Sequence, residues 1–227
     1  MILIDLNETL AFECDRLDSS QDFAGTYSAL GGATLRDEQV NLLAIDACDR
    51  MRQVGREPGR YESFPSIVDV LSSEGPATRI SKDERERIAA VVGLHEVGVI
   101  PSHIADSVHR LHARYRLGLV SNMWADSRFS RQAIRDAGIE ECFDTMIFSS
   151  DHGVTKPSAR IFQLAFEEMD ATPDASVYVG NSLRRDVVGA QNAGIPSIWI
   201  SHKSALPPNS TPTAIAETFP DFVDSVT

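Results

Sequence analysis

The chain is poor in cysteine, poor in positive charge and without long apolar runs. Its 227 residues hold three cysteines, Cys14, Cys48 and Cys142, with neither metal-like spacing nor a disulfide framework. They read as reduced thiols serving as small core hydrophobes. Lysine and arginine number 21 against 33 acidic residues, a formal net charge of −12 that no basic block offsets. A phosphate backbone repels such a surface, which excludes a nucleic-acid partner. The apolar runs fall far short of the roughly 20 residues that span a bilayer, and no charged-then-apolar leader precedes the first of them. No membrane partner and no signal peptide are expected, and the expected location is the cytoplasm. Repeats and low-complexity tracts are missing as well. What is present is 42% hydrophobic content, ample for one large domain or for a core with one inserted cap.

Residues 2–10, Ile-Leu-Ile-Asp-Leu-Asn-Glu-Thr-Leu, form an apolar run that stops abruptly on Asp5. A buried strand ending on a carboxylate aims it into a crevice at the sheet edge, where it can act as nucleophile or metal ligand. From residue 117 onward short apolar runs recur at Leu117–Val120, Met146–Phe148, Val177–Val179 and Ile198–Ile200. Between them, 128–137, 159–169 and 186–193 read as helices, the last closing on Gly194. Strand–helix alternation predicts a doubly wound parallel sheet of the α/β class, with the first strand in the same sheet.

Residues 13–100 are different. Val40, Leu43, Ala47, Met51 and Val54 mark one buried helical face, Ile67, Val70 and Leu71 a second helix, and Ser81-Lys-Asp-Glu84 a capping box opening a third. The expected organisation is a core of residues 1–13 and 99–227, with an all-helical cap of residues 14–98 inserted after the first strand. Val108, Leu111 and Tyr115 predict a helix leading into the second strand. The tail, with Pro207, Pro208 and Pro212, reads as loop, with Ile215, Phe219 and Phe222 docking its last turn.

Four polar clusters fall at or just after strand ends: Asp5-Leu-Asn7-Glu-Thr9, Ser121-Asn122, Lys156-Pro157, and Gly180-Asn181-Ser182-Leu-Arg-Arg-Asp186. A parallel sheet brings all C-terminal strand ends to one edge, so the four can converge. In this order, and with the Val154-Thr-Lys-Pro-Ser-Ala-Arg-Ile-Phe162 and Asp186-Val-Val-Gly-Ala-Gln-Asn-Ala-Gly-Ile-Pro196 stretches, the chain resembles the haloacid dehalogenase (HAD) superfamily. The resemblance covers nearly the whole length. It implies a hydrolase acting on a small, anionic molecule, with Asp5 as the nucleophile of a covalent aspartyl intermediate. It also implies that Ser121 hydrogen-bonds the transferring group, that Lys156 balances its charge, and that Asp186 helps to hold Mg²⁺. Backbone N–H groups of residues 6–9 would cradle oxyanions. Thr9 would tie that turn down, and Thr9 and Asn122 join Ser121 and Lys156 as candidate substrate contacts.

The departures from the family pattern carry chemistry too. Asn7 stands where the phosphatases of the superfamily carry the aspartate that protonates the leaving oxygen, and an amide cannot exchange a proton. The loss of such help typically costs about 10²–10⁴ in rate. Metal ligation at this position is through the backbone carbonyl, which Asn7 keeps. Asn181 replaces the first acid of the last motif, so a Mg²⁺ held by Asp5, Asn7, Asn181 and Asp186 would be held less tightly. Glu8 replaces a glycine. The preferred reading is a Mg²⁺-dependent phosphatase. The alternatives are a metal-independent, dehalogenase-like hydrolase of a carbon–heteroatom bond and a degenerate member that only binds. His95, His103, His109 and His112 read as solvated or capping groups, Trp124 as core packing, and Arg184 and Arg185 as exposed.

Overall fold

The computed structural model describes residues 1–14, 16–202 and 211–227. Six strands, β1 (Ile2–Ile4), β2 (Leu117–Ser121), β3 (Phe143–Phe148), β4 (Val177–Gly180), β5 (Ser197–Ile200) and β6 (Ala214–Ala216), form one sheet in the order β3-β2-β1-β4-β5-β6. Every pairing is parallel, and Ile4 stands opposite both Leu119 and Val179.

Among the described residues four α-helices lie between Phe12 and Val99: α1 (Phe23–Ala29), α2 (Asp37–Val54), α3 (Ile67–Ser73) and α4 (Lys82–Glu96). Their buried faces, among them Tyr27, Val40, Leu43, Ala47, Met51, Ile67, Leu71 and Ile88, share an apolar cluster of their own. The periodicity read over Val40–Val54 is this packing face. At the point where the chain leaves and re-enters the sheet layer, Phe12 and Val99 exchange two backbone hydrogen bonds of 2.8 and 2.7 Å.

The remaining helices are α5 (Ser102–His112), α6 (Arg128–Asp136), the single turn α7 (Ser149–His152), α8 (Ala159–Met169), α9 (Val188–Asn192) and α10 (Phe219–Val226). A parallel sheet must be covered on both faces, and the alternation of β1 shows how. Ile2 and Ile4 pack with Val108 and Leu111 of α5 and Phe222 of α10, whereas Leu3 packs with Phe162 and Phe166 of α8 and Ala190 of α9. The molecule is a doubly wound α/β protein.

Several local expectations change. The tail contributes a sixth strand, and Ile215 lies on it 42% exposed, while Phe219 and Phe222 are buried in α10. A three-residue strand of small side chains has no period to read, and Pro207 and Pro208 lie outside the described residues. Tyr115 falls beyond the end of α5, donating its hydroxyl to the Val226 carbonyl. Ser81 accepts the Glu84 N–H as expected, but the Glu84 carboxylate turns away to the Tyr27 hydroxyl and Arg87. A buried phenol needs a partner, and Glu84 is the one at hand.

Candidate active site

Asp5 follows directly on β1, its N–H donating to Val179 O of β4 at 2.9 Å, so its side chain emerges at the C-terminal edge of the sheet. It is 5% exposed. Its Oδ1 accepts Ser121 Oγ at 3.1 Å and Lys156 Nζ at 2.7 Å. The same ammonium donates to Asp186 Oδ1 at 2.7 Å and Tyr178 Oη at 2.6 Å. One buried cation thus faces two buried carboxylates, and its attraction offsets part of their cost of leaving water. Asp186 also accepts the Ser182 N–H on Oδ2 at 2.7 Å. Burial and the nearby Asp5 push the Asp186 carboxyl above its usual range, and Lys156 holds it back. Gly180 permits this approach, because a Cβ there would stand 2.6 Å from the Asp186 carboxyl carbon.

Asn122 grips the backbone of Lys156 from both ends of its amide, accepting from Lys156 N at 2.8 Å and donating to Lys156 O at 3.1 Å. Asn122 also lines the cavity above Asp5, so its hold on Lys156 adds a positioning role to the substrate contact expected of it. Thr9 departs from expectation. It is fully buried, its hydroxyl has no hydrogen-bond partner, and it does not line the pocket above Asp5. The turn is closed by its backbone instead: Glu8 N donates to Ala11 O, and Thr9 N and Leu10 N both donate to Leu6 O. The N–H groups of Glu8 and Thr9 are therefore spent inside the turn and do not face an oxyanion. Glu8 itself takes a left-handed φ of 59°, the conformation a glycine adopts without strain.

Asn7 donates its amide towards Glu96 O at 3.4 Å, while its Oδ1 is buried without a partner; Asn181 Oδ1 is buried and unpartnered too. Among the described residues no three acidic, histidine or cysteine side chains gather as a metal cluster. Besides the Asn7 backbone carbonyl expected to ligate, the site offers two carboxylates, Asp5 and Asp186, and the orphan amide oxygen of Asn181 just beyond β4. An oxygen-only set suits a hard divalent cation, and two neutral members reduce its pull.

A cavity of about 450 Å³ opens above Asp5, Asn7, Ser121 and Lys156. Its walls include Leu17, Met51, Phe64 and Trp124, and arginines from both layers, Arg52, Arg56, Arg184 and Arg185. Arg184 donates to Tyr61 Oη at 3.0 Å and Gly55 O at 3.1 Å, so it joins the helical layer to the sheet layer as well as meeting solvent. Trp124 packs against the helical cluster and walls the cavity at once. His109 meets the Cys142 thiol and His95 the Thr26 hydroxyl.

Two residues of this edge escaped the sequence reading. Tyr178 sits inside β4 beneath Lys156, its own hydroxyl donating to Val120 O at 2.9 Å. Burial and the two nearby carboxylates raise its pKa well above the ordinary value. Glu96 is buried at the end of α4, where it accepts the N–H groups of Trp124 and Ala125 at 2.8 and 3.0 Å; burial pushes its carboxyl up to about 7. A signal existed for each: a tyrosine in a buried strand needs a hydroxyl partner, and an acid in the last turn of a helix opposes the dipole.

A parallel doubly wound sheet whose strand ends gather an aspartate, a serine, a lysine and a second aspartate under a helical layer is the frame of a hydrolase. The model of the haloacid dehalogenase-like hydrolases matches residues 80–200, and the chain belongs to that family. It is 39% identical over 87 residues to the glyceraldehyde 3-phosphate phosphatase of Methanothermobacter thermautotrophicus, covering 38% of each chain. It is 30% identical over 153 residues to the enzyme of the same name from Methanopyrus kandleri, covering 62% of this chain and 65% of that one. The matches thus span 38% and 65% of the length of these two relatives. In fold it is similar to the 2-haloacid dehalogenase of Pseudomonas syringae, with a TM-score of 0.67 at 18% identity over 98% of this chain and 96% of that one. A HAD phosphatase of Thermococcus onnurineus gives 0.60 at 20% identity over 99% and 96%. No helix among the described residues is long and apolar enough to cross a membrane.

Proposed function

We propose that the protein is a phosphatase of small phosphorylated molecules that works through a covalent intermediate on Asp5. The observation that carries this reading is the buried lysine bridge, with Lys156 Nζ 2.7 Å from both Asp5 and Asp186 and Ser121 Oγ on the same Asp5 oxygen, at the floor of a cavity. Phosphoryl transfer asks for positioning and charge neutralisation above all, and these side chains supply both. An Asp5 oxygen attacks phosphorus, the bond to the leaving oxygen breaks, and water later opens the acyl phosphate. Lys156 steadies the charge, and Ser121 has a hydroxyl proton to give to the transferring group. Asp5 and Asp186, with Asn7 and Asn181, would hold Mg²⁺. Such an ion would neutralise charge on the phosphoryl oxygens.

Asn7 sets the leaving-group preference. Its amide cannot hand over a proton, so acyl and aryl phosphates, whose leaving groups depart as stable anions, are favoured over alkyl esters. The same residue supports a second reading, a metal-independent hydrolase of a carbon–heteroatom bond, since a halide also leaves without a proton. Under either reading residues 1–13 and 99–227 form the catalytic core and residues 14–98 the cap, the division falling at the Phe12–Val99 bonds.

The test is hydrolysis of acetyl phosphate and an aryl phosphate with Mg²⁺ and with EDTA, beside Asp5→Asn. Turnover that Mg²⁺ raises and Asp5→Asn abolishes is the expected result. Turnover of a 2-haloacid in EDTA, with both phosphates inert, would transfer the assignment to the second reading.

A further inference from the structure

The chain carries 12 more acidic than basic residues, 33 against 21, yet among the described residues the cavity above Asp5 is lined by four arginines and Lys156 against three carboxylates, Asp5, Glu8 and Glu96. Two of the arginines have structural work. Arg52 is fixed by Asp49 at 2.6 Å and by the carbonyls of Arg16 and Leu17, and Arg184 by Tyr61 and Gly55. The other two do not. The guanidinium of Arg56 makes no hydrogen bond or ion pair among the described residues, and that of Arg185 makes one long contact, to Ser182 Oγ at 3.4 Å. The Arg184–Gly55 bond brings the turn after α2, which bears Arg56, against the turn that bears Arg185. Two guanidinium groups with no ion-pair partner among the described residues, one from each layer, therefore share one concave wall. Lys156, the other cation of the cavity, is already committed to Asp5 and Asp186 below.

We infer that Arg56 and Arg185 receive a second anionic group of the substrate, a carboxylate or a further phosphate, remote from the group that reacts at Asp5. The inference rests on the phosphatase reading for the reacting end alone. A planar guanidinium matches either anion through paired N–H donors. The wall is concave and faces a cavity at the small end of the range of metabolite sites, about 300–1,000 Å³. An anion there would touch both layers at once, next to the contact Arg184 already makes. The substrate class is thus a short molecule with an anion at each end, not a neutral-tailed monoester.

The test compares 4-carboxyphenyl phosphate with phenyl phosphate, which differ only in the distal carboxylate. Binding is measured by calorimetry on the full chain carrying Asp5→Asn, and kcat/KM on the wild type. The carboxylated ester should bind about tenfold more tightly. That preference should vanish in Arg56→Ala/Arg185→Ala, two exposed positions where truncation leaves the core intact. Equal binding of the two esters, binding of neither, or a preference that survives the double substitution would overturn the inference. A binding preference without wild-type turnover supports it and removes the phosphatase reading; turnover without a preference does the reverse.

Discussion

Asn7 points its amide at an acceptor, the carbonyl oxygen of Glu96, and this orientation decides what a carboxyl would do in its place. An aspartate oxygen facing that carbonyl would favour the protonated form, because two acceptors repel and a proton joins them. A protonated carboxyl beside Asp5 is what an alkyl leaving group requires. Asn7→Asp is accordingly expected to raise kcat/KM for an alkyl phosphate by about 10²-fold, with a smaller change for acetyl phosphate. Steady-state rates on the two esters check it, and equal gains on both would place the effect elsewhere than in leaving-group protonation. Glu8, the next residue, holds a left-handed φ that costs an ordinary L-residue roughly 1–2 kcal/mol. The turn after β1 therefore keeps a glycine-like path while presenting a carboxylate to the cavity wall.

At the scale of elements, α4 is coupled to the sheet through its last residue. Glu96 accepts the N–H groups of Trp124 and Ala125, in the loop that follows β2, so the helical layer and the Ser121 loop are held in common. Its carboxyl titrates at about 7 in the fold against an ordinary 4.5. The folded chain holds a proton there that the unfolded chain has lost, so the contribution is complete below about 4.5 and disappears as pH rises through 7. Two and a half pH units correspond to about 3 kcal/mol. Urea denaturation in steps from pH 4.5 to 8 should show this decline in the wild type and its removal in Glu96→Gln. An identical slope in both would refute the assignment.

The elements readable in the sequence were those with a period or a sharp edge. Val40 to Val54 announces α2, and the apolar run stopping at Asp5 announces β1 and the floor of the site. Elements without either, α1 with seven residues and β6 with Ala-Ile-Ala, left no such trace. Within the site, Asp5, Ser121, Lys156 and Asp186 were legible because each lies at, or a few residues beyond, the C-terminal end of a strand. The wall formed by Arg56 and Arg185 was not. These residues lie far apart in the chain, and the contacts of Arg184 with Gly55 and Tyr61 bring their segments together.

For the molecule as a whole, the two layers are laced together by the segment after α2. Phe64 N donates to Gly153 O at 2.7 Å, Ile67 N to Trp124 O at 3.0 Å, and Tyr61 O accepts Thr155 N at 2.8 Å. These are backbone bonds, which must all break if the helices separate from the sheet. A single cooperative transition is therefore expected. Tryptophan fluorescence, dominated by Trp124 between the layers and Trp199 on β5, should report the same urea midpoint as far-ultraviolet circular dichroism. Midpoints that differ would show the layers unfolding separately.

The strand order has a further consequence when the chain is considered as it is synthesised. β1 is central, yet its two partners begin at Leu117 and Val177. At about 5–20 residues per second, the 113 residues from Asp5 through Leu117 take roughly 6 to 23 seconds to emerge from a ribosome. During that interval the apolar tripeptide Ile-Leu-Ile has no edge to join, whereas α1 to α4 already possess most of the residues of their shared cluster, with Trp124, Ala125 and Phe129 arriving later. The helical layer is thus placed to gather first, while the sheet around Asp5 is completed only once β2 and β4 have emerged.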